Sequence, residues 1–383
     1  MGSVISALAI AFLLYIFTFF MDGDIGIVLI SFMVIAPLTS LAFALGGRKR
    51  ARIFLGCDGF VKKGSKLKVT LTVEKSGFFP LGIIELHTSA TEVFSGAKDI
   101  YRLTVIGRDS KSFTYELDAK IGGNGSIAVA EAYSCGFLGF LKFRLTAPPP
   151  PEISVGVIPE IPEASGASGL VRAISDSVVT SDEEESSDTA LLFSAATAPG
   201  YEHREYEQGD PIKRINWKLS VKKDKLMVRL DEAVASVQPV IALDLYRKGA
   251  ASAEVLADEE RIICSAFALI SILVKQGIAC TLLYFSGSGE IVSEDVETPD
   301  RTEQLLLKVV AAKALPEKRI KIANTSACAC VIASTDLGAE LEALASGFEN
   351  RECVSLIGKS ADAENRTDLP MWYLDGDNNF KQV

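Results

Sequence analysis

The chain has 383 residues, 48% of them hydrophobic, and a formal net charge of −10. This length is enough for two or three domains of ordinary size. The acidic balance argues against general affinity for nucleic acid, which needs a basic surface.

Two apolar runs without any charged residue predict a transmembrane hairpin in residues 1–50. The spans lie at about 4–21 and 25–45, and each is long enough to cross a hydrocarbon core of about 30 Å as a helix. A secretory signal peptide is the alternative for the first run. Residues 1–10 lack the basic start of such a signal, and the second run would need a separate explanation.

The flanks of these runs set the expected orientation. The connection between them is acidic, whereas a basic cluster follows the second run. Its members are Arg48, Lys49, Arg50 and Arg52. The positive-inside rule therefore predicts a cell-membrane protein with two spans and cytoplasmic soluble domains. Anchoring of this cluster to lipid headgroups is the alternative, and it predicts the same side of the membrane.

Seven cysteines are scattered through the chain, and only two histidines are present. Most of the cysteines have apolar neighbours, which is typical of small buried side chains in a reducing compartment. Their spacing and the small number of His ligands argue against a structural zinc site. We therefore expect no metal and no cofactor.

After the membrane hairpin the composition changes three times. Short alternating strands fill residues 52–160 and predict an antiparallel β-sandwich. Residues 163–200 are acidic and rich in small residues, which predicts a flexible linker. This linker is either a solvated segment without a specific partner or an acidic segment that meets a basic surface.

Residues 237–383 alternate apolar strands with amphipathic helices, which predicts a doubly wound, Rossmann-like α/β domain. Thr298 followed by Pro299 predicts the start of one helix, and Gly277 predicts the end of the preceding one. A further helix is predicted at 336–348.

The motifs of common enzyme classes are missing from the sequence. The first strand of the α/β region is not followed by a Gly-rich phosphate loop, and no nucleophile elbow is present. His203 lies far from any Ser or Cys in a strand-turn-helix context. We therefore predict that the protein is not an enzyme and has no catalytic residues.

Asp244 and Asp336 each follow a predicted strand of the α/β region, and this pattern resembles the von Willebrand factor A domain. In that family an Asp-x-Ser-x-Ser sequence after the first strand binds Mg²⁺ through oxygen ligands. Here Tyr246 and Lys248 stand at the two serine positions. The resemblance implies a degenerate metal site without a bound metal, in which Asp244 caps a helix or orders a loop.

The segment 201–236 carries the most specific pattern in the chain. It resembles the signature of the bacterial family called domain of unknown function 58, which reads R-E-Y-x-x-G-D-x-x-R-x-I-N-W-K-x-S and then L-x-V-R. The matching residues include Arg204, Glu205, Tyr206, Gly209, Asp210, Asn216, Trp217, Lys218 and Arg229, while the second arginine position is taken by Lys213 with Arg214 directly after it. A second stretch, "YSCGFLGFLKF" at 133–143, departs from the family's D-P-F-G-L-F, with Cys135 and Gly136 in place of Asp and Pro.

The resemblance implies a non-enzymatic membrane protein. Proteins of this family are often encoded beside a MoxR-type AAA ATPase. The implied partners are the lipid bilayer, that ATPase and protein clients, and nucleic acid is not among them. The implied role is that of a scaffold or adaptor in the assembly or maturation of envelope or secreted proteins. The alternative function is a metal-dependent protein-binding receptor that uses the A-like domain.

Two interpretations of the signature segment remain open at this point. In a structural clasp, Trp217 buries its ring, and the carboxylates of the segment pair with the arginines of the same segment. The expected partners of Arg204, Arg214 and Arg229 are then Glu205, Asp210 and Glu232. In a docking surface, the same Trp and arginines anchor a partner protein. A nucleic-acid patch is the weakest interpretation, because Asp224 interrupts the basic run at 218–225.

Overall fold

The computed structural model describes residues 9, 11–13, 15–16, 19, 23–77, 81–105, 110–139, 141–165, 168–185, 197–206, 215–233, 238–247, 251–312, 318–320, 327–337, 353–359 and 369–383. Helix α1 (Gly23–Arg50) is the first long element. Its Ser31–Arg50 portion is long and apolar enough, by length and composition, to cross a membrane. Most of the first predicted span, 4–21, lies outside the described residues, so the two-span hairpin stays a prediction.

Two β-sheets follow α1 without a linker. The strands of the first sheet are β1 (Ala51–Cys57), β3 (Lys66–Lys75), β5 (Phe94–Ser95) and β7 (Ser110–Ala119), in the order β1-β3-β7-β5. The strands of the second sheet are β2 (Phe60–Lys62), β4 (Ile83–Ala90), β6 (Ile100–Thr104), β8 (Gly123–Cys135), β9 (Lys142–Arg144) and β10 (Ile153–Ile158). Their order is β2-β10-β8-β4-β6, and β9 pairs with β8. All neighbours are antiparallel except β2 and β10.

The two sheets share one apolar core and form a β-sandwich. Buried side chains alternate along β3 at Leu67, Val69, Leu71 and Val73, as the polar–apolar alternation in the sequence predicts. They belong to the same core as Ile84 and its neighbours on the second sheet. One face of each sheet therefore holds the two sheets together, while the polar faces point outward.

A seven-stranded sheet forms the C-terminal part of the described chain. Its strands are β13 (Val240–Asp244), β14 (Cys280–Phe285), β15 (Ile291–Val296), β16 (Cys330–Ser334), β17 (Val354–Ile357), β18 (Met371–Leu374) and β19 (Phe380–Gln382). The order is β15-β14-β13-β16-β17-β18-β19, and only the outermost pairs are antiparallel. The parallel centre requires crossover connections, which agrees with the predicted alternation of strands and helices.

Three helices pack on one face of this sheet: α2 (Gly169–Glu185), α4 (Ala253–Lys275) and α5 (Pro299–Ala311). The predicted caps are confirmed, because the Thr298 side chain accepts from the Arg301 amide and Pro299 begins α5. Gly277 has φ +79 and follows the end of α4. The helix predicted at 336–348 lies almost entirely outside the described residues.

The region predicted as a flexible linker, 163–200, is partly helical, which corrects the interpretation of that segment. It contains α2, whose Leu170, Val171 and Ile174 are buried in the core on the helical face of the seven-stranded sheet. The spacing of these three side chains places them on one side of a helix. The composition of the segment as a whole concealed this short apolar stripe.

The sandwich and the seven-stranded sheet are joined by direct contacts. Leu256 at the start of α4 lies in the sandwich core. Lys63 Nζ pairs with Glu260 Oε1 of α4 at 2.7 Å, and Asn124 Nδ2 donates to the Ala311 carbonyl at the end of α5 at 3.0 Å. These contacts fix the helices of the C-terminal part against one end of the sandwich.

Candidate functional site

The signature segment folds around two paired strands, β11 (Thr197–Glu205) and β12 (Met227–Ala233). In this antiparallel pair, Arg204 lies opposite Val228 and Glu205 lies opposite Met227. The Tyr206 amide continues the pairing by donating to the Leu226 carbonyl at 2.8 Å. The two ends of the signature are thus brought together, although about twenty residues separate them in sequence.

Asn216 is the centre of the hydrogen bonds within this unit. Its amide donates to the Met227 carbonyl at 2.8 Å, and its side chain accepts from the Leu219 amide at 3.2 Å as the N-cap of α3 (Trp217–Lys223). The Ser220 hydroxyl donates to the Asn216 carbonyl at 2.8 Å and accepts from the Met227 amide at 2.9 Å. The Asn and Ser of the N-W-K-x-S pattern therefore connect α3 to β12.

Trp217 is exposed, which fits the docking interpretation of the signature and not the clasp, in which its ring is buried. The side chain is 59% exposed, and Val221, one helical turn later, is 83% exposed. Leu219 and Ser220 occupy the inward side of α3, so the N-cap at Asn216 fixes Trp217 on the outward side. Lys218 and Lys222 lie on that same outward side.

Only some of the side chains in the predicted ion pairs of the signature are among those that the structure describes. Glu205 Oε1 pairs with Lys225 Nζ at 2.6 Å, a lysine that the sequence interpretation did not select. The Arg204 guanidinium donates to the Glu205 carbonyl at 3.2 Å. Gly209, Asp210 and Arg214 lie outside the described residues, and Arg229 is described only through its backbone, opposite His203 in the β11–β12 pair.

A second polar cluster lies at the carboxyl ends of β13 and β16, where Asp244 and Asp336 come together as predicted. The residue between them is Arg319, whose Nη1 donates to Asp244 Oδ2 at 3.0 Å. Nη1 also donates to the Asp336 carbonyl at 3.1 Å, and Nη2 donates to Asp336 Oδ2 at 3.2 Å. The guanidinium carbon lies 4.1 Å from the centre of the Tyr246 ring.

Asp244 is fully buried and accepts two further hydrogen bonds. The Ile320 amide donates to Oδ1 at 3.2 Å, and the Ser334 hydroxyl donates to Oδ2 at 3.0 Å. Burial raises the pKa of Asp244 above its ordinary value, and the bonds from Ile320, Ser334 and Arg319 counteract part of that rise. Asp244 therefore orders the connection that carries Arg319, which agrees with the loop-ordering role expected from the sequence.

The residues at this edge do not fit a divalent cation. A hard cation needs several free oxygen ligands, whereas the guanidinium of Arg319 already bonds both carboxylates. Tyr246 presents its ring to Arg319, and Lys248 lies outside the described residues. Among the described residues, no group of three or more His, Cys, Asp or Glu could hold a metal ion. The positive charge at this site comes from the protein itself.

Two other buried carboxylates have shifted pKa values. Glu259 of α4 lies 3.4 Å from the guanidinium of Arg247, and burial raises the pKa of Glu259 to about 7 against the attraction of that arginine. Glu85 of β4 is also buried, but hydrogen bonds from Lys142, His87 and Arg102 outweigh its burial and lower its pKa to about 2. The first carboxylate is short of hydrogen-bond donors and the second has three.

The sequence did not identify Arg319 as a site residue. It stands in the basic stretch "EKRIKIA", which has no spacing relation to Asp244 or Asp336. The contact joins residues that are 75 positions apart in the chain. Only the alignment of β13 with β16, in which Asp244 lies beside Ser334, creates the position that Arg319 fills.

Comparison with known proteins gives one family match. Residues 202–360 match the family described as "Protein of unknown function DUF58", as the signature resemblance predicts. This range begins at the signature and extends through both carboxylates of the second cluster. No curated protein matches the chain.

Several solved structures share a weak likeness with the chain. A cohesin module from a family 33 glycoside hydrolase of Clostridium perfringens is 13% identical, over 29% of this chain and 99% of the module, with a TM-score of 0.25. A CARDB domain from Pyrococcus furiosus is 10% identical, over 30% and 97%, with a TM-score of 0.23. The C-terminal part of Escherichia coli alpha-2-macroglobulin is 16% identical, over 30% and 18%, with a TM-score of 0.22. At these scores the likenesses carry no argument about fold or function.

Proposed function

Residues 202–360 match the DUF58 family, and on this premise we propose that the chain is a non-enzymatic, membrane-anchored scaffold or adaptor. Its partner is a AAA ATPase of the MoxR type, and its clients are envelope or secreted proteins during assembly or maturation. The observation that carries this proposal is the outward side of α3, where Trp217 and Val221 lie exposed together.

The construction of this surface suits a docking role. Trp side chains are enriched among the residues that dominate protein–protein binding. Asn216 and Ser220 hold the backbone beneath Trp217, so a partner that binds it orders little additional chain. Lys218 and Lys222 flank the apolar pair. The matching surface on the ATPase is therefore an apolar pocket with an acidic rim.

Attachment to the bilayer is the second part of the proposal. Large apolar side chains along α1 are exposed, and a soluble protein rarely leaves so many of them in water. They include Ile27, Val28, Phe32, Val34, Ile35 and Leu38. We propose that the run at 4–21 is a second span and that the soluble parts lie in the cytoplasm, beside the basic end of α1.

We further propose that the seven-stranded sheet and its helices form a degenerate von Willebrand factor A-like domain that binds protein. The parallel centre of the sheet and the two carboxylates at its carboxyl edge support this assignment. Arg319 supplies the positive charge that a cation supplies in metal-binding members. Binding of a client at this edge would then proceed without a divalent metal.

A pull-down experiment tests the proposal. The full-length chain in lipid nanodiscs is the bait, and a purified MoxR-type AAA ATPase from the same organism is the prey. We expect wild type to retain the ATPase and Trp217→Ala to weaken retention at least tenfold, about 1.4 kcal/mol of binding free energy. Arg214→Ala provides a second variant of the signature. Ile291→Ala is the matched control, since Ile291 is an exposed apolar side chain on the edge strand β15.

The outcomes test the identity of the partner and the location of the docking surface separately. Absence of retention by wild type would contradict the partnership with the ATPase. Equal retention of wild type and of a correctly folded Trp217→Ala variant would contradict α3 as the docking surface, while the partnership would stand.

A further inference from the structure

The end of α1 is packed against the turn between β8 and β9 rather than standing free of the sandwich. Ser40, Ala44 and Gly47 are buried along one side of the helix. The Leu138 amide donates to Ser40 Oγ at 3.2 Å, and the Phe137 ring meets the Phe43 ring edge to face with centroids 4.7 Å apart. The β8–β9 turn therefore lies alongside the apolar helix.

Two glycines make this close approach possible. A Cβ atom on Gly136 would lie 2.1 Å from Ser40 Oγ and 2.7 Å from the Ser40 carbonyl oxygen, and a Cβ on Gly47 would lie 2.3 Å from Ser134 Oγ. Directly after Gly47, the Arg48 carbonyl accepts a hydrogen bond from the Thr146 amide at 2.9 Å. The position of the turn along the helix is thus fixed at Ser40 and again at Gly47 and Arg48.

The tip of this turn presents large apolar side chains outward. Phe137, Leu138 and Leu141 are 46%, 42% and 45% exposed. Gly139 has φ +70 and allows the tight reversal that brings these side chains to the tip. The tip lies beside a helix that itself exposes large apolar side chains, Leu38 among them.

The depth of the tip follows from helix geometry. Ser40, which contacts Leu138, precedes Arg48 by about 12 Å along the helix at 1.5 Å per residue. Arg48 and the basic residues after it belong at the headgroup level, and the headgroup layer is about 5–8 Å thick on each side of the hydrocarbon core. The tip therefore reaches beyond the headgroups to the edge of the acyl chains.

We infer that the β8–β9 turn is a membrane-interface element, in which Phe137, Leu138 and Leu141 insert into the headgroup–acyl boundary beside α1. This inference rests on the proposed membrane attachment of α1. Its ligand is the lipid surface, because the apolar tip lies at the depth of the acyl chains on a helix that is itself the candidate span. Together, helix and turn hold the sandwich at two adjacent points on the bilayer.

Tryptophan quenching by brominated lipid tests this inference. The full-length chain, with Trp217→Phe and Trp372→Phe to remove its two native Trp residues, is placed in two sets of nanodiscs, one with lipid brominated near the headgroup end of the acyl chains and one with lipid brominated near their middle. Phe137→Trp reports on the turn, and Val34→Trp reports on the exposed side of α1. Phe60→Trp is the matched control, because Phe60 is 44% exposed.

The control lies far from the proposed interface. Phe60 is aligned with Gly156, which lies opposite Asn124 at the start of β8, whereas the turn follows the end of β8. At about 3.3 Å per residue this places the control about 35 Å from the turn. We expect quenching of Val34→Trp and Phe137→Trp at least twice that of Phe60→Trp.

Each contrary outcome has a separate meaning. If Val34→Trp is not quenched, the membrane attachment on which the inference rests is wrong. If Val34→Trp is quenched but Phe137→Trp is quenched no more than Phe60→Trp, the attachment stands and the interface role of the turn is wrong. Protection of Phe137→Trp from aqueous acrylamide without quenching by lipid would show that protein covers the turn, which also overturns the inference.

Discussion

Arg319 reaches Asp244 through a hydrogen bond of 3.0 Å at the carboxyl edge of the seven-stranded sheet. Asp244 is fully buried, and the Arg319 side chain is only 10% exposed. A buried carboxylate without a partner is expensive, so the arginine is a structural requirement of this edge. The pair also leaves little room for any other cation.

We expect Arg319→Ala to lower the free energy of unfolding by about 3 kcal/mol, because it leaves Asp244 buried without its counter-charge. Thermal and urea unfolding of the detergent-solubilised full-length chain measure this loss. Lys66→Ala is the control, since Lys66 pairs with Glu116 on the surface and its loss should destabilise the fold much less. Equal effects of the two substitutions would contradict the structural role of Arg319.

We expect no stoichiometric binding of Mg²⁺ or Mn²⁺ to the wild-type chain, because Arg319 bonds both carboxylates that a metal would need. Isothermal titration calorimetry measures this directly. Binding of one metal ion per chain that disappears in Asp244→Ala would instead support the metal-dependent receptor as the function of the α/β region.

The Ser220 hydroxyl links α3 to β12, so we expect Ser220→Ala to lower the free energy of unfolding by about 1–2 kcal/mol. The loss arises because the buried Met227 amide would have lost its acceptor. Val221→Ala on the outward side of the same helix should change stability by less than about 0.5 kcal/mol. Chemical unfolding of both variants provides the comparison, and a larger loss for Val221→Ala would contradict the orientation assigned to α3.

Glu259 should make the protein less stable as pH rises from about 4.5 to about 7. Its pKa is about 7 in the folded chain against 4.5 ordinarily, so the folded state holds the extra proton within this window. We expect Glu259→Gln to match wild type near pH 4.5 and to exceed it by up to about 3 kcal/mol at pH 8. Unfolding curves across this range measure the difference. A variant less stable than wild type at pH 8 would mean that attraction to Arg247 outweighs burial.

Glu85 provides a control of opposite sign. Its folded pKa of about 2 lies below the ordinary 4.5, so its contribution is complete above pH 4.5 and is lost as pH falls toward 2. Glu85→Gln should therefore be less stable than wild type by about 2 kcal/mol at pH 7, with a gap that narrows below pH 4.5. A gap that widens on acidification would contradict the hydrogen bonds assigned to Glu85.

The parts of the fold that depend on local pattern were predictable from the sequence. The alternation in β3 matches its burial, and Thr298, Pro299 and Gly277 mark helix ends where the sequence placed them. These features depend on a few neighbouring residues, whose preferences act locally. The helix within 163–200 was missed because three apolar side chains in an acidic segment carry little weight in its composition.

The candidate sites were predictable only in part. Asp244 and Asp336 could be brought together in advance, because parallel strands end at one edge of a sheet. Arg319 could not be, because its approach depends on a connection that crosses 75 residues of sequence. The exposure of Trp217 depends on the phase of a seven-residue helix, which the Asn216 cap and the Ser220 bonds determine.

Helix α1 passes into β1 between Arg50 and Ala51 without an intervening loop. The Ser76 amide donates to the Arg50 carbonyl at 2.9 Å and reinforces this junction. At the end of the sandwich away from α1, Lys63 contacts α4 and Asn124 contacts α5. A displacement of the seven-stranded sheet would therefore be passed to the sandwich through these contacts, and from the sandwich to α1 through its direct junction with β1.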